Sequence, residues 1–320
     1  KAGVEKKELT AVAFTRAPGL IGSLLVGAQF AKSLSLALDV PLIAVHHMQA
    51  HVIANLIAEQ KIRCEKPRYD AGGGGVNVSK AIFKLGGRST CVLTSGGSTG
   101  EMLEELINKE GIESIAIKTK SWTRENFIAF DNSTKSQYRF GFPGNEFSEE
   151  EKDKIIEIVS KLKAEYLVIS GSLNEGLPKD FYQKIAETAK ASGIKVIVDT
   201  SGEPLQKVLE TGVYMIKPNI GELAKLIGTE RLEVSEVEIA AKKLIDKGAA
   251  QIVVVSLGAK GAILVSKETT EFVAAPKAEK KSTVGAGDSM VGGMVWALSQ
   301  NKPLKEVIQI GVCCGTAATM

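Results

Sequence analysis

The sequence predicts an α/β protein: a mostly parallel sheet with helices on both faces and a small antiparallel sheet beside it. Two observations carry this. From Tyr166 to Ser256, short apolar runs alternate strictly with runs of helical length, the rhythm of a parallel sheet covered on both faces. Between Ser114 and Gly144 the runs ENFIAFDN and SQYRFGFPG alternate across a short polar turn, the pattern of a small antiparallel sheet.

Taken in order, 10–15 (TAVAFT) and 41–45 (PLIAV) read as buried strands, with helices over 21–38 and 48–59. Residues 61–69 are basic and extended. Gly72 to Gly75 then opens a helix over 76–85, closed by Gly86-Gly87. Strand 90–94, a glycine-rich turn and helix 101–110 follow. After the small sheet come strand 166–170, helix 179–191, strand 195–199, helix 204–210, strand 214–217, helices 220–227 and 236–247, and strand 251–256. Ligands of such sheets bind at the carboxyl ends of the strands. The loops 170–176, 199–202, 217–219 and 256–261 therefore belong to one rim.

Composition narrows the class. With 320 residues, 44% hydrophobic and 24% charged, the chain is an ordinary globular protein of one large or two smaller domains. A net charge of +3 gives no argument for nucleic acid or an anionic membrane as partner. Cys64, Cys91, Cys313 and Cys314 suit neither a zinc site nor a disulfide framework, so a reducing, cytoplasmic setting is expected. The apolar stretch 19–45 is interrupted by Gln29, Lys32 and Asp39, too often for a membrane span. The chain starts without Met and stops in what reads as an unfinished helix, so a fragment of something longer is expected.

The most informative segment is KSTVGAGDSM, 281–290. Gly285 and Gly287 let the backbone approach a ligand, and a helix follows over 288–298. The first amides of a helix lack internal partners and carry positive potential, which makes an anion site. Asp288 stands at its mouth, where a carboxylate can take a proton from a hydroxyl. An anion hole beside a base suits phosphoryl transfer to an alcohol. The competing reading is a plain helix cap, since Asp is a preferred N-cap.

Other motifs sort by elimination. No G-x-x-x-x-G-K-[ST] occurs, which removes a P-loop enzyme. Gly96 to Gly100 matches a G-x-S-x-G elbow, but the histidines His46, His47 and His51 all precede Ser98, the wrong order for that hydrolase triad. Asn219 and Glu222 share a helix face three residues apart, fit either to hold Mg²⁺ through waters or to form a capping box. Ser256 to Gly261 reads either as a surface for a nucleotide or as a simple hairpin turn. Arg124 and Arg139, placed in the small sheet, suit a phosphate, or are exposed edge charges.

Together these pieces resemble a known family. From residue 61 to 320 the chain is similar to the PfkB-type sugar kinases of the ribokinase-like fold, through AGGGGVNVSKAIFKLGG, SWTREN, QYRFGFPG, SGSL, KPNIGEL, VVVSLGAKGA and STVGAGDSM in that order. It most resembles the minor-type 6-phosphofructokinases, with fructose-1-phosphate and tagatose-6-phosphate kinases next. The resemblance implies ATP-dependent phosphorylation of a sugar phosphate, most simply fructose 6-phosphate. It implies Asp288 as base and the amides of Gly285, Ala286 and Gly287 as anion hole. Gly73, Gly74, Asn77 and Ser172 would meet the sugar, and Arg124 and Arg139 its phosphate. Lys61, Lys217, Asn219, Ser256, Gly258, Gly261 and Thr316 would serve the nucleotide, and Glu222 would hold Mg²⁺ through water. Ser282 and Val284 would hold a monovalent cation such as K⁺. The lid, about 61–71 and 114–144, would make a homodimer. Asn174-Glu175 stands where the family often has Pro-Pro.

Residues 1–60 resemble instead a βαβα fragment of the tRNA threonylcarbamoyladenosine-synthesis proteins, with Ala17 for the usual Gly of their turn. That resemblance implies a metal at His47 and His51, which are four residues apart on one helix face. The kinase family's first strand and its C-terminal segment have no counterpart in the sequence. Strand 10–15 or 41–45 is expected to take the vacant central place. Two alternatives therefore stand beside the kinase reading: a composite chain that binds nucleotide at most, and a tRNA-modification role for the N-terminal piece.

Overall fold

The computed structural model describes residues 9–17, 21–46, 67–131, 134, 136–142, 144, 146–174, 176–279 and 282–320. They divide into two compact units, Lys1–Arg68 with Ile128–Phe140, and Tyr69–Phe127 with Gly141–Met320. The expected helix 48–59, His47, His51 and Lys61 lie outside the described residues.

In the first unit, strands β1 (Val12–Ala17) and β2 (Leu42–His46) flank helix α1 (Ile21–Leu38) and pair in parallel. They form a two-stranded sheet of their own. The expectation that one of them fills a central place in the large sheet is therefore not met. Each finds its backbone partner in the other, 30 residues away across a helix, as a parallel pair needs a crossover.

The second unit holds the main sheet. Helix α2 (Gly74–Lys84) leads to β3 (Thr90–Ser95), helix α3 (Gly97–Lys109) and β4 (Glu113–Lys118). β3 and β4 pair in parallel. Strands β5 (Asn126–Asp131) and β6 (Ser136–Gly141), which for the most part belong to the first unit, form a separate two-stranded sheet. Their short connection permits only antiparallel pairing. The stretch 114–144, expected as one small sheet, is thus divided. ESIAIK joins β3 as a parallel strand, and only the later residues make the hairpin. The cause is burial: Ile117 is fully inside, packed with Ile155 and Val159.

Helix α4 (Glu149–Lys161) was not anticipated, because its sequence is strongly charged. Ser148 and Glu151 cap it reciprocally, with the Glu151 amide donating to Ser148 Oγ and the Ser148 amide to Glu151 Oε2. Then follow β7 (Tyr166–Ser170), α5 (Phe181–Ala191), β8 (Lys195–Asp199), α6 (Gly202–Leu209), β9 (Val213–Ile216), α7 (Ile220–Leu226), α8 (Val237–Asp246) and β10 (Ala250–Ser256). Strands β11 (Ala262–Val265) and β12 (Thr270–Val273) and helices α9 (Ala286–Ser299) and α10 (Leu304–Ala317) complete the unit. The sheet order is β12-β11-β10-β9-β8-β7, parallel from β7 to β10 and antiparallel beyond.

The period-two alternation of the strands builds two apolar layers. Val196, Val198, Val253 and Val255 face one, with Ile155, Phe181, Leu205 and Leu244 of the covering helices. Ile197, Met215, Ile252 and Val254 face the other, with Val78, Ile82, Met290, Met294 and Ile308. Each such side chain removed from water contributes roughly 1.5–3 kcal/mol. This two-sided burial makes the sheet rigid and leaves its carboxyl rim to chemistry.

Candidate active site

Asp288 is the third residue of α9, two positions later than expected for a residue at the helix mouth. Gly285 is the N-cap, in the left-handed region at φ 73°. No side chain caps this helix, so the carboxylate does not serve the cap. It turns instead to two other elements. Asn77 Nδ2 of α2 donates to Asp288 Oδ2 at 2.9 Å, and Ser170 Oγ at the end of β7 donates to Asp288 Oδ1 at 3.2 Å. The capping reading of Asp288 therefore has no hydrogen bond behind it.

The amides at the helix start are free for a ligand. The Ala286 amide reaches only Thr283 O, at 3.4 Å, and among the described residues those of Gly287 and Asp288 have no protein acceptor. They are open donors in the positive end of a 14-residue helix. Gly287 leaves room for what lies beneath it. A Cβ there would stand 3.2 Å from Lys217 Nζ and 3.9 Å from Asp199 Oδ2.

Lys217 is buried and paired with Asp199 Oδ1 at 3.2 Å. Burial pushes the Asp199 carboxyl above its ordinary range. The lysine opposes that rise, while Asp288 and Glu222 add to it. Asp199 thus feels one ammonium group and two other carboxylates, brought together by the ends of β8 and β9 and the first turns of α7 and α9. Asp199 is a site residue the sequence reading missed. Its local signal, an Asp closing an apolar strand at the rim, is common to many strands, and its partner stands 18 residues on.

The remaining candidates divide. Gly73, at φ 117°, is the N-cap of α2, and Asn77 N donates to its carbonyl. Gly74 lies against β7, where a Cβ would overlap Ser170 Oγ. Ser172 follows on the exposed rim. Asn219 and Glu222 form the capping box of α7, 2.9 Å in each direction. Ser256 to Gly261 is the turn of the β10–β11 hairpin, with Leu257 N donating to Gly261 O. Gly258 and Gly261 have positive φ, as that turn requires. Ser282 Oγ accepts from the Val284 amide, and Ser282 N donates to Thr319 O. Thr316 Oγ1 donates to Val312 O inside α10.

Arg124 is exposed and precedes β5 rather than lying in it. It stands near Tyr182, whose phenol is pushed up to about 12 by burial, with the Arg124 charge opposing. Arg139 is exposed on β6 and donates to Gln137 Oε1 at 3.1 Å. It belongs to the other compact unit. Among the described residues, no three His, Cys, Asp or Glu side chains converge as direct metal ligands, and no helix is long and apolar enough to cross a membrane.

A rim of this kind, with a glycine-opened helix start, open amides and a braced carboxylate, belongs with enzymes that transfer a phosphoryl group to an alcohol. Residues 42–319 match the pfkB family carbohydrate kinases, and the chain belongs to that family. It is 39% identical over 273 residues to the ATP-dependent 6-phosphofructokinase isozyme 2 of Escherichia coli K12, across 85% of this chain and 88% of that one. It is 34% identical to the 1-phosphofructokinase of Bacillus subtilis, across 77% and 80%. The structure of E. coli phosphofructokinase-2 with fructose-6-phosphate superimposes with a TM-score of 0.78 at 39% identity, covering 82% of this chain and 86% of that one. The same E. coli protein has also been solved with potassium and as a tetrameric inhibited form. The fold is ribokinase-like, and the chain is a phosphotransferase with an alcohol acceptor.

Proposed function

We propose that the chain transfers the γ-phosphoryl group of ATP to the 1-hydroxyl of fructose 6-phosphate. The observation that carries this reading is the Asp288 carboxylate, held by Asn77 and Ser170 beside open amides. Asp288 takes the hydroxyl proton as the sugar oxygen bonds to the γ-phosphorus. The bond from that phosphorus to the bridging oxygen breaks, and ADP leaves with the electron pair. The amides of Gly285, Ala286 and Gly287 accept the charge on the transferring group, and Lys217 lies behind them.

Gly73, Gly74, Asn77 and Ser172 bind the sugar in this scheme, and Arg124 its phosphate. Lys61, Asn219, Ser256, Gly258, Gly261 and Thr316 serve ATP. The oxygen donors Asp199 and Glu222 fit Mg²⁺ held through its waters, as a hard cation prefers. When bound, that ion neutralises phosphate charge. Ser282 and Val284 supply oxygen donors for K⁺. A cytosolic homodimer through the β5–β6 hairpin is part of the same proposal. It is supported by exposed Ile128, Phe130 and Tyr138 on those strands.

The test is coupled measurement of ADP release with fructose 6-phosphate, fructose 1-phosphate and tagatose 6-phosphate as acceptors. The highest kcat/KM is expected for fructose 6-phosphate. Asp288→Asn should lower kcat by about 10²–10⁴-fold. Turnover retained in that variant would remove Asp288 from the role.

A further inference from the structure

We infer that Ser170 is the positioning residue of the Asp288 carboxylate: it anchors Oδ1 so that Oδ2 faces the acceptor hydroxyl. This rests on the reading of Asp288 as the base.

The two oxygens of Asp288 have one side-chain donor each, and the donors differ in kind. Ser170 Oγ lies at the end of a strand, pinned from several directions. Its strand is hydrogen-bonded to β8 in register, Ser170 opposite Asp199. The next amide, Gly171 N, donates to Asp199 O at 3.0 Å. The start of α2 presses on it from another side. A Cβ on Gly74 would overlap the Ser170 hydroxyl and reach within 2.7 Å of Gly171 N. So glycine at 74 is what lets helix and strand end meet, and the hydroxyl between them has little room to move.

Asn77 is different. Its amide is at the end of a side chain with two rotatable bonds. It lies beside Gly285, whose Cβ would stand 3.4 Å from Nδ2. Gly285 opens the anion-binding helix start, so Asn77 faces the side on which ligands arrive. Its bond to Oδ2 can be given up to a ligand. The bond from Ser170 to Oδ1 is set by the scaffold. The division of labour follows. Oδ2 is the proton acceptor, screened by Asn77 until the sugar takes that amide. Oδ1 is the pivot that keeps the carboxylate plane from rotating when Asn77 lets go.

A misplaced reacting group can cost about 10²-fold in rate even for a shift near 1 Å. Losing the pivot should therefore act on kcat and not on affinity. Three variants test this with ATP and fructose 6-phosphate in the ADP-release assay. Ser170→Ala should lower kcat by about 10- to 100-fold, with both KM values within about twofold of the unaltered chain and an unchanged melting temperature. Ser170→Thr and Ser170→Val have nearly the same shape and differ in the hydroxyl. The Thr variant should exceed the Val variant in kcat by about tenfold or more. Equal rates for Thr and Val, or a loss confined to KM, would overturn the inference. Asp288→Asn separates it from the reading beneath. If that variant is inactive while the Ser170 variants are unimpaired, only the pivot is lost. If it turns over normally, or the unaltered chain has no activity, the base itself falls and the pivot with it.

Discussion

Lys217 Nζ stands 3.2 Å from Asp199 Oδ1, with the two side chains only 8% and 16% exposed. Burial raises the carboxyl's pKa and the lysine opposes that rise. Removing one member of a buried pair costs far more than the pair is worth, because the other is left uncompensated. Lys217→Met should destabilise the fold by about 3–5 kcal/mol at pH 8. The sign with pH follows from the raised pKa. The native state then keeps the Asp199 proton to higher pH than the unfolded chain does, so stability is present at acid pH and lost as pH rises. Urea denaturation at pH 5 and pH 8 should show the smaller loss at pH 5. Equal losses would mean that Asp199 is not the group responsible.

Gly261 has φ 107°, and a Cβ there would overlap the Val273 carbonyl oxygen and lie 2.8 Å from Ala274 Cα. Gly261→Ala meets both a left-handed backbone and a collision with backbone that has nowhere to go. A loss of about 3 kcal/mol or more is expected, read from the urea midpoint. Gly193→Ala is the control. Its φ is 75° but nothing lies within 4 Å, so only the conformational cost of about 1–2 kcal/mol applies.

Gly287→Ala should leave stability nearly unchanged and impair turnover. The new methyl meets the end of a lysine rather than backbone, at 3.2 Å, and Lys217 can shift by a few tenths of an ångström. That shift moves the ammonium group away from the open amides. A fall in kcat of about tenfold or more with an unaltered melting curve is the expected result.

The β5–β6 hairpin exposes Phe130 at 54%, Tyr138 at 48% and Ile128 at 44%. Self-association through this surface predicts that Phe130→Asp shifts the sedimentation coefficient to that of a monomer at micromolar concentration. A distribution identical to that of the unaltered chain would remove the hairpin from the contact.

The alternation of strands and helices from Tyr166 to Ser256 was legible because the strands are short apolar runs buried on both faces and the helices each bury one. The glycine-opened start of α9 was legible locally as well. What was not legible depends on distant partners. Glu113–Lys118 alternates like a surface strand, and only β3 and α4 make it a parallel one with Ile117 buried. Helix α4 is masked by charge, although Ser148 and Glu151 spelled its cap. Asp199 acquires meaning only from Lys217, and Ser170 only from Asp288, 118 residues later. Asn219 and Glu222 show the reverse case, since the capping box, one of the two readings of their spacing, is formed in full.

Among the described residues, strand β7 is an outermost strand of the six-stranded sheet, and its last residue is Ser170. Outer strands, paired along one side only, open locally with smaller free energies than the strands they border. Ser170 is gripped locally, but the strand that carries it is paired on one side only among the described residues, while β8 to β10 are paired on both. On warming, the chain should lose turnover several degrees before it loses its cooperative fold, and cooling should restore it.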